Sequence, residues 1–501
     1  MHISTGIMLP VPLHVLVGVL FVQPSFARSS FDPTCTIPSG VVNFVSSPGV
    51  RGTLDVLWSA LFTTLICTWT VQHLNVPEQT PEYCGWLHKL KATLKRTLTK
   101  VKWMLITLVA PEFLVGRAFQ DFMMARKSRD EMRKFFETDR VRWTLTHAYY
   151  ANMGGFILKA NSSVSSRSGQ DLLREETQGQ TLNTPLTQDG NQFAASSEDN
   201  VARESQEHEP PHLPSAAMDM ENVEYAYPNA DQLYVLRATG IITRLPEVSV
   251  KEIEDKSKGD AFIKGTAVLQ VLWLIIQVIV RGAKHLPISQ LEISVIAFAA
   301  CTVLTYAFSW SKPQNVTVAN LASDRTIPRE QIKAVENKNH GASWSQNLFL
   351  ERNMDIFKPI PNDAEFDLLP GSKILTLMDF GVAVAGTIFG AVHLIAWNFH
   401  FPSYVEHLLW KIACVYLAAA LPFCYINAFI FEKLGWLEGT FENSGALSSE
   451  MEWFMKVVVS LPILSYILAR LCLMVLIFRC LFFLDPETFI TTWAREVPHL
   501  Q

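Results

Sequence analysis

Charge is scarce in this chain, and neither sign dominates. Only 18% of the 501 residues are Asp, Glu, Lys or Arg, and 42 bases against 47 acids leave a net charge of −5. No basic excess is present to neutralise phosphates, so the expected partners include no nucleic acid. The eight cysteines form no C-x-x-C pair, which removes the usual zinc and disulfide frameworks. Catalytic signatures are missing as well. The sequence holds no G-x-x-x-x-G-K-[ST] loop, no G-x-S-x-G elbow, no H-E-x-x-H and no histidine-box array. It also lacks a D-D-x-x-D-like run facing the membrane, which Mg²⁺-dependent ionisation of a prenyl diphosphate would need. No cofactor is therefore expected. The acidic cluster Asp363, Glu365 and Asp367 lies in a polar loop and reads as a solvated turn.

What the chain has instead is grease in long runs. Hydrophobic residues make up 49% and the mean hydropathy is +0.18, with the charges gathered between the runs. This composition predicts an all-α fold, a polytopic membrane helix bundle of about seven transmembrane helices with a disordered loop. Residues 1–27 read as a signal peptide, with an apolar run from Ile7 to Val22 and small residues before the Ala27 junction. Its weak n-region, with His2 and no Lys or Arg, leaves an uncleaved anchor as the alternative. Residues 28–159 form an N-terminal membrane region and 160–220 a Ser-, Gln- and Glu-rich disordered linker. Residues 221–501 form a C-terminal bundle with a polar insert at 312–372. The spans are placed at 54–76, 101–119, 266–283, 291–310, 374–397, 405–431 and 457–484, each long enough to cross about 30 Å of hydrocarbon.

Orientation presents a conflict. Lys89, Lys91, Lys95, Arg96 and Lys100 precede the 101–119 span, and Arg126, Lys127, Arg129, Arg133 and Lys134 follow it. Basic flanks mark the cytosol, and one span cannot have both flanks there. Either 101–119, broken by Pro111, is re-entrant or interfacial, or 143–158 crosses too. The sequon Asn161-Ser162-Ser163 is expected to be unmodified.

Ionisable groups inside apolar runs are the candidate site residues, because a charge at the bilayer centre costs about 3 kcal/mol and must find a partner. Arg470 lies mid-span, as an anion or carbonyl clamp or as half of a structural ion pair, with Asp379 the expected partner. Asp379, His393 and Trp397 share one helix face, and Gly386 and Gly390 make a close-packing G-x-x-x-G. Gln270, Trp273, Gln277 and Arg281 form a second polar stripe that lines a pocket or glues helices. Glu292 and Glu406 sit in matched contexts after His285-Leu286-Pro287 and His400-Phe401-Pro402; S-x-x-E there reads as a capping box, with catalysis as the alternative. Glu112 follows Pro111, and snorkelling to water is favoured over reaching a cavity. Trp58, Trp103, Trp310, Trp397 and Trp410 lie near span ends and read as an interfacial belt.

The segments LWSALFTTLICTWTVQHLNVP (57–77), KWMLITLVAPEFLVGRAF (102–119), WTLTHAYYANMGGF (143–156), DKSKGDAFIKGTAVLQVLWLIIQVIVR (255–281), YAFSWSKP (306–313) and FGAVHLIAWNFHFPS (389–403) carry a resemblance. Together they resemble a large family of fungal multi-pass membrane proteins related to the membrane-bound terpene cyclases of meroterpenoid pathways. The resemblance implies a membrane-embedded cyclase or isomerase, without Mg²⁺, in the endoplasmic reticulum or another endomembrane, acting on a lipophilic small molecule. It carries no catalytic residue across. Protonation-initiated chemistry would use an acid among Asp379, Glu292, Glu406 and Glu112, with Arg470 and His393 beside it. A transporter and a non-catalytic scaffold are the alternatives. The sequence leaves oligomeric state open.

Overall fold

A computed structural model describes residues 30–31, 40–46, 50–79, 85–161, 223–257, 261–336, 342–343, 355–365, 375–433 and 449–492. The signal-peptide and disordered-linker expectations fall almost wholly outside these residues, as do Cys35 and Cys84.

The chain is mostly helical, with a few short strands. Twelve helices carry the argument: α1 (Thr53–Thr70), α2 (Trp86–Val109), α3 (Pro111–Met132), α4 (Leu145–Asn152), α5 (Ala230–Ala238), α6 (Val250–Lys256), α7 (Ala261–Ala283), α8 (Gln290–Ser309), α9 (Arg329–Glu336), α10 (Leu377–Leu394), α11 (Tyr404–Lys433) and α12 (Ser449–Cys480). Their starts follow local chemistry. Asn229–Gln232, Ser249–Glu252, Ser289–Glu292 and Thr376–Asp379 each make a capping box that satisfies free first-turn N–H groups.

Five stretches are long and apolar enough to cross a membrane: Gly265–Ala283, Gln290–Ser309, Leu377–Asn398, Tyr404–Ile430 and Leu461–Cys480. The chain is a multi-pass membrane protein by that measure. The other two expected spans differ. The 54–76 stretch holds an 18-residue helix, α1, which carries five buried threonines and packs on α7 and α8. The 101–119 stretch is broken. α2 ends at Val109, Ala110 leaves helical geometry, and Pro111 opens α3. Proline fits the first turn of a helix, where its missing N–H is no loss.

α2 and α3 form an antiparallel hairpin, in which Trp103 stacks on Phe113 and the Arg117 guanidinium lies over Trp103. Its tip lies deep in the bundle. Val115 packs with Phe298 and Cys301 of α8 and Phe389 of α10. α3 then climbs back, with Phe119 and Phe122 on Phe308 and Asp121 paired with Lys312. Both basic flanks therefore lie at the same end of the bundle, which removes the conflict in the charge pattern. This is the geometry of a re-entrant loop.

That end of the bundle carries a folded polar domain. Strand β1 (Phe156–Asn161) pairs antiparallel with β2 (Val223–Ala226) and parallel with β3 (Asn320–Leu321) and β4 (Ile327–Pro328). α4, α5, α6 and α9 pack around this sheet, burying Tyr149, Tyr150, Leu158, Leu233 and Ile332. The 143–158 stretch belongs here as α4 and the start of β1, so it does not cross. The polar insert contributes β3, β4 and α9 to the same core.

At the opposite end the two termini of the described chain meet. Val42 bridges Leu484, the Arg51 amide donates to the Phe489 carbonyl, and Arg281 donates to the carbonyls of Glu487, Thr488 and Ile490. Glycines set the tightest helix crossings. A Cβ on Gly116 would lie 2.7 Å from the Met378 carbonyl, and one on Gly390 would lie 2.4 Å from the Ala418 nitrogen. The expected G-x-x-x-G face thus packs α10 on α11.

Candidate functional site

The hairpin tip builds the site. A helix end carries unsatisfied carbonyls and partial negative charge, and a helix start carries partial positive charge. The C-terminal end of α2 and the N-terminal end of α3 therefore ask for a cation and an anion at adjoining points. Arg470 of α12 and Glu112 of α3 supply them. Arg470 Nε donates to the Val109 carbonyl at 2.9 Å, and Nη2 lies 3.5 Å from Glu112 Oε2. The two are 2% and 1% exposed. Glu112 does not snorkel; the buried tip carries it too far inside to reach water.

Aromatic and polar side chains close around the pair. The guanidinium sits 3.4 Å from the centre of the Phe389 ring and 5.8 Å from that of Phe298. Tyr466 and Cys301 lie within electrostatic reach of both charges. His393 donates from Nδ1 to the Phe389 carbonyl and its ring lies tilted 4.4 Å from the Phe389 ring, which places it beside Arg470. Arg470 Nη1 is buried and has no hydrogen-bond partner among the described residues, while the Tyr466 hydroxyl reaches toward Glu112. Buried polar atoms are mostly matched, so Nη1 represents spare bonding capacity, as do Arg51 Nη1 and Glu406 Oε2 in their own pairs.

The remaining predicted residues lie elsewhere. Asp379 does not pair with Arg470. It is the third residue of α10, and its Oδ2 accepts from the amide and hydroxyl of Thr376 at 2.8 Å. It stands about 21 Å from His393 along the helix axis, so the two share a face without sharing a site. Trp397 leaves that face altogether. The helix tightens into a 3₁₀ turn at Ile395–Asn398, and the exposed Trp397 ring stacks under Lys411.

Glu292 and Glu406 sit at the end where the termini meet. Glu292 completes its capping box and accepts from Arg51 at 2.6 Å. Glu406 pairs with Arg479, and its amide donates to Ser403. The polar stripe of α7 serves packing: Gln270 bonds Thr63 of α1, and Arg281 holds the C-terminal segment. Trp58 and Trp310 are exposed, as a belt requires, but Trp103 and Trp410 are buried. The free cysteines behave as small hydrophobes; Cys67, Cys301, Cys414, Cys472 and Cys480 are buried.

Sequence reasoning missed a second buried set at the domain junction. Lys312, Asp121 and Arg117 cluster there, burial pulling the Lys312 ammonium down while Asp121 pushes it up. The i,i+4 spacing of Arg117 and Asp121 was its only signal. Asp363 also acts on Arg117, so it is more than a solvated turn; Asp367 lies outside the described residues. Among the described residues no cluster of His, Cys, Asp and Glu is arranged to hold a metal ion.

Residues 24–183 and 229–330, just over half of the chain, match the model of a family described as a family of unknown function, DUF8562. The match contains Glu112 and Glu292 and leaves Asp379, His393, Glu406 and Arg470 outside it. No curated protein and no solved structure matches the chain. A fold with five membrane-length helices, a polar domain at one end and a buried acid–arginine pair at its centre is thus the structure of a member of this family of unknown function.

Proposed function

We propose that this chain is an endomembrane enzyme, in the endoplasmic reticulum or a related compartment, that isomerises a lipophilic small molecule at the Glu112–Arg470 centre. The substrate class is a prenyl chain or its epoxide, reaching the bundle from the bilayer, and the reaction is protonation-initiated cyclisation or isomerisation. One observation carries this reading: a deeply buried carboxylate and guanidinium are paired beside the rings of Phe298 and Phe389, and Arg470 Nη1 has no hydrogen-bond partner among the described residues. Arg470 Nη1 can donate to an epoxide or carbonyl oxygen. Glu112, once protonated, gives its proton to that oxygen or to an alkene carbon. It regains a proton from the carbon beside the final cation, so product and substrate are isomers. Aromatic rings within about 6 Å favour a passing cation. Asp379, Glu292 and Glu406 are not part of this centre: Asp379 caps α10, Glu292 pairs with Arg51, and Glu406, whose Oε2 is also unmatched, pairs with Arg479 at the end where the termini meet.

Microsomes bearing the protein, incubated with a panel of prenylated phenol epoxides, test it. Cyclised product from the wild type that disappears in Glu112→Gln supports the reading. Absence of product from the wild type across the panel refutes it.

A second reading is favoured by a different observation: three of the four candidate acids stitch or cap helices. The protein is then a non-catalytic scaffold that presents its polar domain. In that case the Glu112→Leu/Arg470→Met double variant keeps all function, because an apolar pair can replace a buried ion pair.

A further inference from the structure

Away from the ion-pair centre, α1, α2 and the start of α7 line an open cleft of about 590 Å³. Phe62, Leu65, Ile66, Trp69, Met104 and Thr266 line it. That volume is ordinary for a small-molecule site, which runs roughly 300–1,000 Å³. The α1 wall from Phe62 to Trp69 rises about 10 Å. This is a large part of one leaflet's hydrocarbon, about 15 Å deep. The upper end of the cleft lies at the end of the bundle that carries the polar domain, where Gln314 donates to the Thr70 carbonyl.

A cation guards that end. Lys100 Nζ lies 4.4 Å from the centre of the Trp69 ring, one helical turn before Met104. Among the described residues no carboxylate pairs with it. Residues Trp86–Val109 contain no Asp or Glu, and Lys89, Lys91, Lys95, Arg96, Lys100 and Lys102 are all basic. At about 100° per residue, Lys89, Arg96 and Lys100 fall within about 40° of one another. They share the face on which Thr107, two turns further on, accepts from Gln72 beside α1. Leu87, Leu90, Leu94, Leu98 and Leu105 lie on another face, and all are more than half exposed. Exposed leucines beside a lysine-rich face are the pattern of a helix in contact with a membrane surface.

We infer that the α1–α2–α7 cleft seats one acyl chain of an anionic phospholipid of the surrounding bilayer, with its headgroup held by Lys100 and Arg96. This site is separate from the Glu112–Arg470 centre and stands or falls independently of it. Charge complementarity selects the occupant: an apolar slot with no acid at its mouth among the described residues, headed by a row of bases, disfavours a cationic amphiphile. A zwitterionic headgroup gains little there. Juxtamembrane Lys and Arg residues add about fivefold each to binding of an anionic leaflet.

The test uses the full chain, purified and reconstituted in nanodiscs of phosphatidylcholine with or without phosphatidylserine carrying brominated chains. Bromine quenches indole fluorescence on contact. The Trp69 component is the difference between wild type and Trp69→Phe. Brominated phosphatidylserine should quench it at several-fold lower mole fraction than brominated phosphatidylcholine. Lys100→Gln should reduce that preference about fivefold, and Arg96→Gln should reduce it as well, while Lys91→Gln on the other side of α2 leaves it unchanged. Should Lys100→Gln fail to fold, Arg96→Gln and Lys91→Gln carry the same comparison. Equal quenching by both lipids, or a preference unmoved by both Lys100→Gln and Arg96→Gln, overturns the assignment. So does a photocrosslinker at Leu65 that captures protein and no lipid.

Discussion

Removing either member of the buried pair should cost far more than removing both. At 3.5 Å and an effective dielectric near 20, the Glu112–Arg470 attraction is about 5 kcal/mol. Deleting one partner of a buried pair strands the other charge, at about 3–5 kcal/mol. Arg470→Met should be the worse single change, because it also orphans the Val109 carbonyl at the hairpin tip, a further cost of about 1–3 kcal/mol. Glu112→Leu leaves that bond intact but isolates the guanidinium. In Glu112→Leu/Arg470→Met both charges are gone, and only the carbonyl bond is lost. The double variant should therefore recover most of the stability lost in each single variant. The protein carries its own reporter. Cys67, Cys301, Cys414, Cys472 and Cys480 are buried thiols, and Cys424 is exposed. With Cys35 and Cys84 replaced by serine, a thiol-reactive fluorophore should label Cys424 first and these five only on unfolding. Melting in detergent should show each single variant lowered by roughly 5–10 °C and the double variant close to wild type. A double variant as unstable as the two singles added together would refute the reasoning, since it would mean that the two residues do not act as a pair.

Gly390→Leu should block assembly of α10 on α11, because even a Cβ there meets the backbone nitrogen of Ala418 at 2.4 Å; the folded fraction in size-exclusion chromatography should collapse, while Gly85→Ala, with open space around it, should not matter. The polar domain should weaken in acid through His147, whose folded pKa burial holds below the ordinary 6.5. Below that pH the unfolded chain binds the extra proton, so stability is full above about 6.5 and falls as pH drops toward the folded value. Hydrogen exchange of the β1–β2 amides should show this slope, and His147→Gln should flatten it. The positive-inside rule predicts a cytosolic place for the basic flanks of the hairpin, and with them an Asn161 without glycan, so endoglycosidase should leave the mass of the protein unchanged.

The bundle was legible because apolar runs of membrane length have few other uses; five of the placed spans coincide with membrane-length helices. The capping box at Ser289 was also local, visible as S-x-x-E, whereas the box at Thr376 went unread because Asp379 was assigned to Arg470. The partner of Arg470 was not legible. Two acids in apolar runs competed for it, and the choice depended on a tertiary fact, the depth of the Pro111 break. A run of grease interrupted by Pro-Glu reads equally as a span, an interfacial segment or a turn within the bundle. Only the helices packed on it decide. Helical periodicity misled in a different way for Asp379, His393 and Trp397. It places residues around an axis but not along it, and it assumes the helix continues, which it does not beyond Leu394. The polar domain went unrecognised because its sheet joins segments separated by 60 or more residues, with no pattern linking them.

The tie between the two ends of the chain sets an order of assembly. Arg51 reaches Phe489 and Glu292, and Arg281 holds Thr488. α1, the first described helix, therefore waits for the tail of the chain to be made before the contacts at this end exist. Until then Arg281, in the last turn of its 23-residue helix, has no carbonyls from the tail to grip. A nascent chain stalled or truncated before residue 484 should thus stay open at one end, a form that quality control in the membrane can recognise by its unlatched arginines.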